Sequence, residues 1–354
     1  MRPPLLRVTD DGLYCEAGGF WIDPWRPVER AVVTHAHADH ARPGSRAYLI
    51  SAAGTGVFRS RLGAEARLDP VAWGEPRTLN GVRVSLHPAG HILGSAQVRV
   101  EFRGEVWVVT GDYKRRADPT TTPFEALRCD TLVTESTFGL PVYRWPDPER
   151  EGAGVAEWWA DNRAAGRTSV LFGYALGKAQ RLLAGLPRGV GPILVHGAVE
   201  RLNAAYRAAG VDLPDTLPAD RERAKAHRGE ALVVAPPSAG GTTWLRKFGA
   251  VSTAFASGWM RIRGTRRRRS GDRGFVISDH ADWDGLLDTV RESGAERVGV
   301  THGYRATLVR YLREVEGLDA WALPTPWEDR GEAEAEADGT SSDGDDEAAR
   351  EGAP

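Results

Sequence analysis

Thr34-His35-Ala36-His37-Ala38-Asp39-His40 is the stretch on which the reading of this chain turns. It follows Ala31-Val32-Val33, an apolar run that reads as a short buried strand ending in a loop. Three imidazoles and a carboxylate crowded together repel when protonated, and each needs a partner if buried. A divalent metal ion answers both demands, because neutral imidazole nitrogen and carboxylate oxygen are its natural ligands. In an extended segment His35, His37 and Asp39 point to one side, and a bend at Asp39-His40 lets His40 join them. The crowding and the spacing favour a metal site over a surface histidine cluster.

Outward from that stretch, residues 1–33 read as short strands with turns. Phe20-Trp21-Ile22 ends at Asp23, which before Pro24 is also a natural turn former. Residues 51–80 read as a helix and then a strand, and residues 81–86 alternate as a strand does. They lead into His87-Pro88-Ala89-Gly90-His91-Ile92-Leu93-Gly94-Ser95-Ala96, where His91 lies in a glycine-flanked loop able to approach another group closely. Taken alone, His91 reads as structural and His87 as a non-ligand. Residues 97–102 and 106–110 predict a hairpin turned at Arg103-Gly104-Glu105, whose second strand delivers Gly111-Asp112. Thr131-Leu132-Val133-Thr134 then delivers another acid at a strand end, Glu135, followed by Ser136-Thr137-Phe138-Gly139.

In Phe172-Gly173-Tyr174-Ala175-Leu176-Gly177-Lys178 a strand enters a helix through a glycine turn. This is either a plain βα unit or a helix N-terminus that holds a phosphate with Lys178 beside it. After further α/β patterns come Ser257-Gly258-Trp259-Met260 and an arginine-rich run containing Arg261, Arg263, Arg266, Arg267, Arg268 and Arg269. Adjacent arginines are ordinarily a solvated loop. Beside a phosphodiesterase site they become backbone-phosphate contacts, since guanidinium binds phosphate bidentately. Near the end stand Ser278-Asp279-His280-Ala281-Asp282 and a strand-like Arg297-Val298-Gly299-Val300-Thr301 running into His302-Gly303.

The 354 residues suffice for two domains or one large one, and 41% hydrophobic content is ordinary for a globular protein. Cys15 and Cys129 are the only cysteines, so no disulfide framework is indicated and a reducing cytoplasm is expected. No signal peptide and no apolar run near membrane-spanning length stands out, so neither secretion nor a membrane partner is expected. The net charge of −2 hides an asymmetry. Residues 328–354 hold 11 Asp plus Glu against 2 Arg, net −9, leaving a body of 44 basic (46−2) and 37 acidic (48−11) residues, net +7. That tail has nothing apolar to bury and is expected to be disordered. A mildly basic body suits a polyanionic partner.

His-x-His-x-Asp-His after a strand resembles the signature of the metallo-β-lactamase fold, and the downstream motifs extend the likeness. Pro-Ala-Gly-His91 resembles that fold's next metal ligand, Asp112 its metal-bridging carboxylate and Asp23 the aspartate that braces the metal loop. Glu135-Ser-Thr-aromatic-Gly, the insert after it, Ser278-x-His280-x-Asp282 and the strand ending in His302-Gly resemble the β-CASP nucleases, the branch that cuts DNA or RNA. The resemblance covers residues 10 to 325. It implies an α/β chain: an αββα sandwich over residues 1–145 and 275–327, with an inserted α/β cap domain over residues 146–274.

The same resemblance implies two divalent ions, Zn or Mn, with His35, His37 and His91 on one, Asp39, His40 and His302 on the other, and Asp112 bridging. A shared activated water would attack phosphorus, Asp39 would help steer it, and His280, oriented by Glu135, would be the general acid. Lys178, Ser257, Arg261, Arg263, Arg266 and Arg267 are the expected nucleic-acid contacts. Histidine at position 302 sides with RNA-type members, whereas residues 254–282 most resemble the bacterial ligase-associated DNA exonucleases. That second likeness implies single-stranded DNA over RNA, with a DNA ligase and a helicase of the same repair pathway as partners. A small-molecule metallohydrolase would share the first motif but leave Glu135, His280 and the insert unexplained. A catalytically dead binder would be expected to have lost ligands, and none is missing.

Overall fold

A computed structural model describes residues 4–262 and 271–325 of the chain. The acidic tail and the run from Arg263 to Ser270 lie outside the described residues. The chain divides into two compact units, one formed by residues up to Pro141 together with those from His280 onward, the other by Val142–Asp279. Both mix strands and helices, so the chain is of the α/β class.

The first unit holds two sheets. One is six-stranded in the order Arg7–Thr9, Gly12–Cys15, Phe20–Ile22, Ala31–Val32, Tyr48–Ser51 and Leu68–Val71. The other is seven-stranded in the order Asp319–Ala322, Arg297–Thr301, Thr131–Glu135, Glu105–Val109, Ala96–Phe102, Val82–Pro88 and Arg77–Leu79. Phe20, Ile22, Val32 and Leu49 from the first sheet share one core with Val84, Val98, Trp107 and Val133 from the second. The opposite face of the second sheet buries Val108, Leu132, Val298 and Val300 against Leu286 and Val290 of the helix Trp283–Ser293 and Leu308 and Leu312 of the helix Arg305–Glu314. The strand Thr131–Glu135 is covered on both faces, so all five of its residues are buried and its burial does not alternate. Each large side chain buried in these layers contributes roughly 1.5–3 kcal/mol.

The direction of the strands builds the site. Glu105–Val109, Thr131–Glu135, Arg297–Thr301 and Asp319–Ala322 pair parallel in that succession. Parallel strands end on the same edge, so the residues following them are gathered there. The hairpin before them is tighter than expected. Glu105 pairs with Phe102, leaving only Arg103 and Gly104 in the turn, both at positive φ (53° and 84°) as a two-residue type I′ turn requires.

The second unit is built on a wholly parallel sheet ordered Leu217–Pro218, Ile193–Val195, Leu232–Ala235, Thr168–Phe172, Val251–Ala256 and Arg273–Phe275. Val170, Leu194, Val233, Phe248 and Met260 form its core.

Candidate metal centre

The site begins at Asp23. Its strand Phe20–Ile22 runs parallel to Ala31–Val32, which brings Asp23 beside Thr34. Asp23 Oδ1 accepts from Thr34 N at 2.8 Å and Oδ2 from Thr34 Oγ1 at 2.6 Å. The same Oδ2 lies 2.7 Å from His40 Nδ1, which turns His40 Nε2 inward. Asp23 sits at φ 45°, so it both forms the turn before Pro24 and braces the histidine loop. Gly111 closes over the loop: a Cβ there would lie 2.6 Å from Thr34 Cβ. Asp23→Ala is expected to lower stability by roughly 2–4 kcal/mol, since it strands a buried N–H and an imidazole. Thermal denaturation checks this.

The loop itself departs from the extended path. His37 O accepts from His40 N at 3.2 Å and from Ala41 N at 2.8 Å, so the chain bends from His37 onward. Asp39 therefore does not share a side with His35 and His37, and the alternation argument fails at that residue. One set of ligand atoms within 4.8 Å of one another comes from His35, His37, His91 and Asp112, and a second from Asp39, His40 and His302. His37 Nδ1 lies 3.1 Å from both His35 Nε2 and His91 Nε2. Asp112 Oδ2 lies 3.5 Å from His35 Nε2 and 3.5 Å from His40 Nε2, so one oxygen faces both sets. Both of these sets are groups that can hold a metal ion.

The donor chemistry fits such a cation. Burial, and then the neighbouring His40, lowers His35 well below the usual imidazole range, and the same two causes lower His302. Neutral imidazole offers a lone pair. Burial would raise Asp112, but His40, His280 and His35 together hold it well below the usual carboxylate range. At His40 burial is outweighed by Asp39, Asp112 and Asp23, which hold it well above the ordinary value, so three carboxylates converge there on a positive charge that a metal ion would supply in place of the proton. Among the described residues His40 Nε2 and Asp112 Oδ1 are buried with no hydrogen-bond partner. Buried polar atoms are rarely left so, and a cation supplies what these lack.

His302 carries backbone strain at φ 53°, costing about 1–3 kcal/mol outside glycine. Ser136 Oγ donates to His302 O, and Gly303 packs so tightly that a Cβ would lie 2.2 Å from Ser136 O. The ring of His302 stacks on that of His40 with centroids 5.2 Å apart.

His280 and Glu135 stand beside Asp112, their ligand-type atoms within 4.8 Å of one another. Both oxygens of Glu135 reach His280 Nδ1, at 3.0 and 2.9 Å, and Oε1 also accepts from Tyr113 N at 2.7 Å. The ring of His280 lies 4.5 Å from that of His91. Asp282 caps the following helix, its Oδ1 accepting from Gly285 N. His87 stays apart, bonded to Ser85 and Glu125.

The expected nucleic-acid contacts fare differently. Lys178 is buried, its ammonium 2.9 Å from Asp279 Oδ2 and 3.1 Å from Ile277 O. Two of its three donors and its charge are thus committed inside the unit, and the helix it opens, Lys178–Ala184, is only seven residues long. Ser257 is corrected likewise: it is buried, and its hydroxyl accepts from Trp259 N as the cap of Gly258–Arg261. Arg261 is exposed, with Nε donating to Val142 O at 3.4 Å. Arg263, Arg266 and Arg267 lie outside the described residues. Sequence reasoning passed over Asp279 and Arg181, which pair at 3.3 Å beside Lys178. The position of Asp279 next to His280 was the available signal.

Histidines and aspartates from both ends of the sequence, gathered at one edge of a two-sheet unit, form a cluster that could hold metal ions. No protein-family model matches the chain. A probable DNA ligase of Opitutus terrae is 33% identical over 315 residues, covering 88% of this chain and 30% of that protein. Endoribonuclease ysh1 of Emericella nidulans is 35% identical over 120 residues, 33% of this chain and 13% of its own length. Cleavage and polyadenylation specificity factor 73 of Drosophila melanogaster is 31% identical over 119 residues, 33% of this chain and 17% of that protein. The chain thus spans under a third of each relative. It belongs to the β-CASP family of metallo-β-lactamase-fold proteins.

Proposed function

We propose that this chain is a metal-dependent nuclease, a hydrolase of nucleic-acid phosphodiesters, and that it acts as a DNA exonuclease in repair. The observation that carries the reading is Asp112 Oδ2 facing both histidine sets, with the His280–Glu135 pair alongside. The fold in this reading is an αββα sandwich bearing an inserted β-CASP domain. His35, His37 and His91 would hold one ion and Asp39, His40 and His302 a second, with Asp112 serving both. When bound, two divalent ions, Zn or Mn, supply an activated water and neutralise charge on the phosphate.

This chain's own residues do the rest. Glu135 engages His280 Nδ1 and leaves Nε2 as the atom that hands a proton to the departing oxygen. Asp39, partly exposed at the mouth of its set, helps orient the attacking water. The mildly basic body attracts the polyanion. Single-stranded DNA is the favoured substrate, the cytoplasm the favoured location, and a DNA ligase and helicase the expected partners. The similarity to a probable DNA ligase across most of this chain supports that branch. A second reading, RNA processing, draws on His302 and on relatives named as an endoribonuclease and as a cleavage and polyadenylation factor.

The test is parallel incubation with single-stranded DNA, single-stranded RNA and a chromogenic carboxylic ester, each with added Mn²⁺ or Zn²⁺. Cleavage of DNA alone is expected. Turnover of the ester alone would overturn the nuclease reading and leave a small-molecule metallohydrolase. A further expectation concerns Arg266 to Arg269. Neutralising the four should raise the apparent KM for a polynucleotide and reduce the log–log salt slope by about 0.7 for each lost single-strand phosphate contact. An unchanged salt slope would make the run a solvated turn.

A further inference from the structure

One pocket of the first unit has a lining that the proposed chemistry does not use. Asp39, His40 and His302 form part of its wall, and Leu13, Trp25 and Leu323 carry it onward as an apolar shelf. The shelf follows from the turn at Asp23: Pro24 redirects the chain, and Trp25 N donates to Asp11 O at 2.8 Å. Trp25 is only partly buried. Among the described residues its indole stacks on no other ring and its Nε1 donates to nothing. Trp25 thus lines the pocket with aromatic surface that no other ring occupies, beside Asp39, His40 and His302.

We infer that this pocket is a nucleoside subsite, in which Trp25 stacks on the base next to the scissile phosphate. The inference rests on the nuclease reading and extends it. A nucleobase suits the shelf because every base presents a π-face of the required flatness, while its phosphate would face the cation that Asp39, His40 and His302 could hold. Stacking is sequence-tolerant, so the subsite would position a strand without selecting its sequence. Loss of one base–aromatic stack costs about 1–3 kcal/mol, or roughly 5- to 150-fold in binding.

The experiment compares thymidine 5′-(p-nitrophenyl phosphate) with methyl p-nitrophenyl phosphate, which has the same leaving group and no base. Wild type is expected to prefer the nucleoside substrate. Trp25→Ala should reduce that preference, read as the ratio of kcat/KM values, by about 5-fold or more, chiefly through KM, and Trp25→Phe should restore most of it. A second readout needs no turnover: a phosphorothioate-linked 5-iodouracil oligonucleotide irradiated with the metal-loaded wild-type protein should cross-link to the peptide carrying Trp25. If wild type hydrolyses both substrates but the ratio ignores Trp25→Ala, or the cross-link maps elsewhere, the subsite is wrong and the nuclease reading stands. If wild type hydrolyses neither substrate and no polynucleotide, the nuclease reading fails and the subsite with it.

Discussion

Asp112→Ala and His37→Ala are each expected to abolish hydrolysis while leaving the protein folded. Asp112 Oδ2 faces both histidine sets, and His37 Nδ1 lies 3.1 Å from its two imidazole neighbours. Removing either ligand takes away several kcal/mol of transition-state stabilisation, equivalent to at least about a thousand-fold in rate. Bound metal should fall from about two ions per chain to about one or fewer. Neither side chain belongs to the two apolar cores of the unit, so far-UV circular dichroism should match the parent. Asp112→Asn, nearly isosteric, separates loss of charge from loss of packing and should behave like the alanine variant. Elemental analysis alongside the assay is decisive: a metal-free parent that still cleaves nucleic acid would contradict the centre.

The second large effect is expected at His280. Both carboxylate oxygens of Glu135 reach its Nδ1, and the proposed mechanism makes His280 the general acid. A general acid of this kind contributes roughly 10²- to 10⁴-fold where the leaving group is a poor one. His280→Ala should therefore cut turnover of an oligonucleotide by that amount. A p-nitrophenyl phosphodiester, whose leaving group needs no proton, should lose less than about ten-fold. Glu135→Gln is expected to give a smaller loss in the same direction, because it loosens the ring without removing it. Equal losses on both substrates would mean that His280 holds the site together rather than delivering a proton.

How much of this was legible beforehand depends on the range of the interaction. Ligand chemistry is local: His35, His37, Asp39 and His40 announce themselves by type and crowding, and strand-end acids such as Asp112 and Glu135 by apolar runs that stop. Lys178 misled because a glycine turn opening a helix resembles a phosphate site, while the partner that occupies its ammonium, Asp279, is remote in sequence. Ser257 misled for the converse reason, since its bond to Trp259 is the most local one available, a cap. Asp39 misled because alternation holds only in extended backbone, and His37 O draws the chain into a bend.

The amino-acid sequence by itself determined which residues could bind a metal, where apolar runs would become strands, and the family the motifs resemble. Composition and short-range spacing carry those properties. The resemblance implied the two ligand sets, the bridging Asp112 and the His280–Glu135 pair, but only the tertiary structure supplied their geometry, with one oxygen of Asp112 facing both sets and both oxygens of Glu135 at His280 Nδ1. The physical reason is the pairing of parallel strands. Glu105–Val109, Thr131–Glu135 and Arg297–Thr301 end on one edge because their backbones align side by side, and no spacing along the chain encodes that alignment.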